Sequence, residues 1–200
     1  MMRSIFSFQR WISCGCARLA FSGLAAFCAL TPIARAQSPT SAIEYRVKAA
    51  YLYNFTKFIE WPPPAAADDG RPFVLGVVDS VGTAAEAIQE ALRGKRTPGG
   101  RIIEVRRLAS LSGLADCHQI FVTRNSGITA EAVRAAANGS PVLVVGETED
   151  FAARGGTIGL VASGDAVRCE VNLAGAGRAG LKLSGRLASV ARLVRETSSP

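Results

Sequence analysis

Segments with strand character alternate with segments of helical periodicity along most of this 200-residue chain. Strand-like runs such as 142–145, Val-Leu-Val-Val, are continuously apolar, as in a sheet covered on both faces. Ser163-Gly164-Asp165 lies between two late strand-like runs and marks a tight turn. Together these predict an α/β fold: a mostly parallel central sheet flanked by helices on both faces, Rossmann-like and three-layered, with a C-terminal hairpin and helix.

The first element is a helix over 42–60. Ile43, Val47, Tyr51, Phe55 and Phe58 recur three or four residues apart and define an apolar stripe, which Ala49, Leu52 and Ile59 widen. Pro62, Pro63 and Pro64 end it. Pro, Ala, Asp and Gly then cluster in a linker over 62–71. Strand 72–79, helix 82–93, strand 101–107, strand 119–123, helix 128–138 and strand 141–146 follow from their alternating patterns. Strands 156–162 and 166–172 form the expected hairpin. A terminal helix is expected over 174–195, with Leu181, Leu183, Leu187, Val190, Ala191 and Val194 as its buried stripe.

Ahead of these elements, Arg3, Arg10 and Arg18 precede an apolar run over 19–30, and Ala34-Arg35-Ala36 has the small-x-small form of a signal peptidase site. Residues 1–36 are therefore expected to be a cleaved signal peptide, and 37–200 a single exported, periplasmic domain. The run is shorter than the roughly 20 apolar residues that span a bilayer. Cleavage removes four of the 23 basic residues and no acid, which leaves 19 basic against 16 acidic side chains and lowers the net charge from +7 to +3. Lys95-Arg96 and Arg106-Arg107 are short pairs without interleaved aromatics, so no nucleic-acid partner is expected. Cys14, Cys16 and Cys28 leave with the signal, and Cys117 and Cys169 remain, enough for one disulfide in an oxidising compartment.

The catalytic inventory is sparse. His118 is the single histidine, and the chain has neither a Gly-x-Ser-x-Gly elbow nor a phosphate-binding Walker loop. Asp116, Cys117 and His118 are consecutive, and neighbours on a strand point to opposite faces, so no metal site is expected. Gly175-Ala-Gly177-Arg-Ala-Gly180 spells a dinucleotide fingerprint, but only twenty residues follow it, too few for the βαβ unit it must open. No enzyme activity and no cofactor are expected. Glu147, Glu149 and Asp150 gather after a strand end, where an α/β ligand site can lie.

Six blocks carry a resemblance. They are Glu44-Tyr-Arg-Val-Lys-Ala-Ala-Tyr-Leu-Tyr-Asn-Phe-Thr-Lys-Phe-Ile-Glu-Trp-Pro62, Cys117-His-Gln-Ile-Phe-Val122, Val142-Leu-Val-Val-Gly146 with Phe151, Gly155-Gly-Thr-Ile158, Arg168-Cys-Glu-Val-Asn172 and Ala179-Gly-Leu-Lys-Leu-Ser184. In that order they resemble the YfiR-like periplasmic regulators. The resemblance implies a non-enzymatic repressor that binds the periplasmic sensor domain of an inner-membrane diguanylate cyclase, lowering cyclic di-GMP and biofilm formation. It also implies a homodimer, control through disulfides, and sequestration by an outer-membrane lipoprotein. The family commonly has more cysteines in the exported domain, so here Cys117 and Cys169 pair with each other, with another chain, or not at all. The expected partner-binding residues are Glu170, Asn172 and Arg178 around the last strand and helix, with Trp61, Phe58 and Lys57 as an aromatic and basic anchor. The alternative is a small-molecule sensor with its pocket at the carboxyl ends of the strands, serving a partner such as a histidine kinase.

Overall fold

A computed structural model describes residues 39–63, 65, 70–164 and 166–197. The expected signal peptide, with Cys14, Cys16 and Cys28, and the turn residue Asp165 lie outside the described residues.

The elements alternate as expected. Helix α1 (Pro39–Phe58) runs into a two-residue strand, β1 (Ile59–Glu60), and then come β2 (Phe73–Val78), α2 (Thr83–Leu92) and β3 (Ile103–Leu108). After a 3-10 turn (Leu111–Asp116) come β4 (Gln119–Val122), α3 (Ala130–Ala136), β5 (Leu143–Gly146), β6 (Ile158–Ser163) and β7 (Ala166–Val171). The chain ends in α4 (Leu173–Arg178), β8 (Lys182–Leu183), α5 (Gly185–Val190) and β9 (Arg192–Leu193).

Seven strands form the main sheet in the order β3-β2-β4-β5-β6-β7-β9. From β3 through β6 the neighbours are parallel, and β7 returns antiparallel to β6 as the expected hairpin. β2, β4 and β5 are buried at every position, the continuous apolar pattern of strands covered on both faces. One face packs on α1, α2 and the C-terminal segment through Leu52, Phe55, Ile88, Phe121, Val145 and Leu187. The other packs on α3 and the 3-10 turn through Leu114, Ile120, Val133, Val144 and Phe151. The protein is thus a three-layer α/β domain.

Two sequence expectations need correction. Ile43 is 61 % and Val47 43 % exposed, whereas Tyr45, Ala49, Leu52 and Phe55 form the buried side of α1 together with a fully buried Lys48. A hydrophobic pattern counts lysine as polar, so it rotates the helix away from its true inner face; an ion pair in the core decides the rotation instead.

The expected terminal helix 174–195 is four short elements. Gly180, at φ +67°, ends α4: Leu181 N–H donates to Ala176 O and Gly180 N–H to Gly177 O, the paired bonds of a Schellman motif. The chain then pairs as β8 against β1, with Leu183 opposite Ile59. Ser184 restarts a helix by accepting from Leu187 N–H. Leu181 and Leu187 are buried as expected, but Val190 is exposed.

Candidate functional site

α1 runs against the direction of the parallel strands, so its first turns lie near their carboxyl ends and its last turn near their amino ends. At the carboxyl ends, Glu147 follows β5 and Arg124 follows β4. Lys48 Nζ, on α1, bonds the carboxylate of Glu147 and lies 2.5 Å from Glu44 Oε1. Glu147 Oε1 accepts from Arg124 N–H at 2.8 Å and from the Tyr45 hydroxyl at 3.3 Å. Arg124 Nη2 closes the group on Glu44 Oε1 at 3.1 Å. Two cations and two carboxylates balance, which lets a charged lysine sit in the interior. Burial, then the adjacent Glu147 charge, pushes the Tyr45 hydroxyl upward. Asp79, buried at the end of β2, accepts from the N–H groups of Ala84 and Ala85 and caps α2. Of the acids singled out after strand 141–146, Glu149 and Asp150 are exposed while Glu147 is held inside this network. The region where the sensor alternative places its pocket is thus packed with the chain's own ion pairs.

The clefts lie at the opposite end. One of about 740 Å³ is lined by Pro72, Gln89, Arg93, Arg96, Arg101 and Glu104. Another of about 430 Å³ is lined by Arg71, Arg101, Arg106, Cys117 and His118, among others. Arg101 separates them and is built in: its guanidinium donates to Ala65 O, Arg71 O and Pro72 O, and Nη2 lies 2.7 Å from His118 Nε2. His118 Nδ1 accepts from Val74 N–H at 3.1 Å, and its ring stacks on Phe73 with centroids 4.9 Å apart. His118 is a fixed structural element of this end of the sheet.

All six residues expected to bind a partner lie toward this same end, in two groups. In the first, Trp61 is half-buried, donates from Nε1 to His118 O at 2.9 Å, and stands edge-on to Phe73. Phe58 packs partly on the core, and the exposed Lys57 places Nζ 4.3 Å from the Tyr53 ring centroid. In the second, Glu170 is 3 % exposed and accepts from Arg168 Nε at 3.1 Å and Arg192 Nη1 at 3.3 Å. Asn172 is buried: its amide donates to Ala152 O and Gly156 O, and its carbonyl accepts from Gly175 N–H, capping α4. Asn172 therefore acts inside the fold, not on its surface. Arg178 is half-exposed and shares the Glu196 carboxylate with Arg134.

Both thiols are free. Cys117 packs against one face of the sheet and Cys169 against the other. β4 and β7 are three strand spacings apart, about 14 Å, beyond the roughly 7 Å Cα separation a bridge tolerates. Of the three alternatives, a bridge between Cys117 and Cys169 of one chain is the one this fold does not allow. Burial pushes the Cys117 thiol upward and the Cys169 thiol up to about 11.

The resembling glycine blocks have a packing role. A β-carbon on Gly146 or on Gly156 would lie 2.4 Å from ring atoms of Phe151, so the phenyl ring is clamped between two bare backbones. Among the described residues no cluster of histidine, cysteine and carboxylate side chains could hold a metal ion, and no helix is long and apolar enough to cross a membrane.

The YfiR/HmsC-like family profile matches residues 45–192, which include both thiols, the Phe151 clamp and all of the Lys48 network except Glu44. The chain belongs to this family. The family is one of periplasmic regulators linked to diguanylate cyclase signalling, regulatory rather than catalytic proteins. A search of curated protein sequences finds none that matches. Similar solved structures include the ABC domain in complex with L-Trp from Streptococcus pneumonia, at 12 % identity and TM-score 0.47, covering 62 % of this chain and 55 % of that one. A conserved domain protein from Vibrio cholerae O1 biovar El Tor str. N16961 is similar at 12 % identity and TM-score 0.48, covering 74 % of this chain and 59 % of that one. This chain thus spans little more than half the length of either.

Sequence reasoning missed Lys48, Arg124 and Arg101. Lys48 and Arg101 are charged residues in the interior, and the usable signal was an unexplained lysine on an otherwise apolar helix face. Their partners are up to 99 residues away, so no local pattern reveals the pairing.

Proposed function

We propose that this chain is a non-enzymatic periplasmic protein that binds the periplasmic sensor domain of an inner-membrane diguanylate cyclase and holds the cyclase inactive, lowering cyclic di-GMP and biofilm formation. Family membership over 45–192 carries this reading. The interior chemistry agrees with it. Glu147, the acid best placed for a carboxyl-end active site, is held by Lys48, Tyr45 and Arg124, and Asn172 is held by three bonds of its own.

The mechanism needs binding alone. A repressor with higher affinity for one state of the sensor domain shifts that domain's population, and helices crossing the membrane pass the bias to the cyclase. In this reading Trp61, Phe58 and Lys57 present one part of the contact, and Arg178 with the Glu170 ion pairs another. Because Cys117 and Cys169 are too far apart to join within one chain, redox control and dimerisation through them would require a bond to a second chain.

The test is intracellular cyclic di-GMP in a strain deleted for the gene and complemented with the full chain or with a version lacking residues 1–36. Deletion is expected to raise cyclic di-GMP, and only the full chain to restore it. An unchanged level on deletion overturns the reading. The sensor alternative expects its pocket at the carboxyl ends of the strands, whereas the 740 Å³ arginine-lined cleft, large enough for a small ligand, lies at their amino ends.

A further inference from the structure

β7 is six residues long, but β9 pairs with only its last two: Glu170 lies opposite Arg192 and Val171 opposite Leu193. In an antiparallel pair the backbone groups of successive residues alternate between the partner strand and the outer edge. Two outer contacts fix the phase here. Val171 O accepts from Val194 N–H, and Val167 O accepts from the Tyr51 hydroxyl. Val167, Cys169 and Val171 therefore turn their backbone groups away from β6. With Val171 covered by the C-terminal arm, and the Cys169 carbonyl facing the Arg192 N–H through the Glu170–Arg192 register, the outward N–H groups of Val167 and Cys169 form the remaining edge.

The flanks of this edge have a definite chemistry. Tyr51 stands over Val167, and Val47 and Ile43, exposed one and two turns earlier on α1, continue an apolar stripe from it. Arg46 is exposed beside that stripe, and Arg168 and Arg192 flank the edge against a single carboxylate, Glu170. Exposed edges in soluble proteins attract added strands unless blocked. This one has no proline, and its positive excess favours an acidic occupant.

We propose that the β7 edge is where the chain takes its partner: an extended, acidic segment lies beside Val167 and Cys169, its carbonyl and carboxylate oxygens accepting from their two outward N–H groups, with apolar side chains on Tyr51 and Val47. The inference rests on the regulatory reading above and names the surface through which it works.

The test uses the full exported chain and the purified periplasmic domain of the cyclase whose output the chain controls. Val167→Pro removes an N–H that points away from β6, so the β6–β7 ladder is preserved while the edge loses a donor and gains a ring. Affinity is expected to fall at least tenfold by calorimetry at a temperature where the variant remains folded, since Val167 is partly buried and its replacement lowers the thermal midpoint. Val47→Asp is the second variant, on an exposed helix position, and the same loss is expected there through repulsion of the acidic segment. On binding, the Cys169 amide is expected to become protected from hydrogen exchange. Wild-type affinity in Val47→Asp together with an unprotected Cys169 amide overturns the edge while leaving the regulatory reading intact. No binding by the wild-type chain overturns the regulatory reading itself. If Val167→Pro instead converts a dimer to a monomer and binds the cyclase normally, the edge joins two copies of this chain and the proposal is wrong.

Discussion

Lys48 shows how one residue can set the orientation of a whole helix. It is fully buried, bridges Glu44 and Glu147, and through them reaches Arg124, so α1 is tied to the ends of β4 and β5. Lys48→Ala leaves the Glu44 and Glu147 carboxylates with Arg124 as their one remaining cation in the network and is expected to cost about 3–5 kcal/mol in urea unfolding. Lys48→Met combined with Glu147→Gln removes charge on both sides and is expected to restore part of that loss; a cost below about 1 kcal/mol for the alanine variant would show that the network does not hold α1. Cys169 gives a pH signature. Its thiol is raised first by burial and then by the neighbouring Glu170, from an ordinary 9.0 to about 11. The folded state therefore holds the proton that the unfolded chain releases, so this contribution is fully present below pH 9 and is lost as pH rises through about 11. It is on the order of 2 kcal/mol. Cys169→Ala is expected to flatten the fall in stability between pH 9 and 11 in part, because Tyr45, raised in the same direction, still contributes. An identical alkaline slope in the variant would contradict the assignment.

At the scale of elements, the loop between β5 and β6 is built around one ring. Phe151 is clamped by Gly146 at the end of β5 and Gly156 just before β6, which fixes where β6 starts beside β5. Gly156→Ala is expected to cost about 1–3 kcal/mol through overpacking, and Phe151→Leu in the same chain to relieve much of it; an additive double variant by thermal unfolding would deny the contact. The C-terminal elements follow the same logic of local bonds serving distant packing. Gly180 stops α4, Ser184 starts α5, and between them β8 reaches β1 at the end of α1. The leucine spacing predicts one continuous helix over this stretch, because periodicity records which residues are apolar and not which of them share one helix.

For the molecule as a whole, α1 connects the two ends of the sheet, with the neutral ion-pair cluster at the carboxyl ends and the clefts, Trp61 and the β7 terminus at the amino ends. This arrangement engages the buried charges Lys48, Glu147 and Asp79 inside the fold and puts what is free for recognition on the rim and on the β7 edge. The layer order, the parallel sheet, the β6–β7 hairpin and the resemblance to its family were legible in the sequence alone. They rest on local periodicity, on uninterrupted apolar strands and on contiguous blocks of side chains. Tertiary structure alone decided the rotation of α1, the inward position of Asn172, the separation of Cys117 from Cys169, and the open stretch of β7. Each depends on which distant segment lies opposite: a carboxylate 99 residues away for Lys48, three intervening strand spacings for the thiols, and a two-residue β9 for the edge. Periodicity along a chain determines which residues face a core, but a buried charge, a sulfur pair or a strand edge is settled by its partner, and the partner is chosen by the fold.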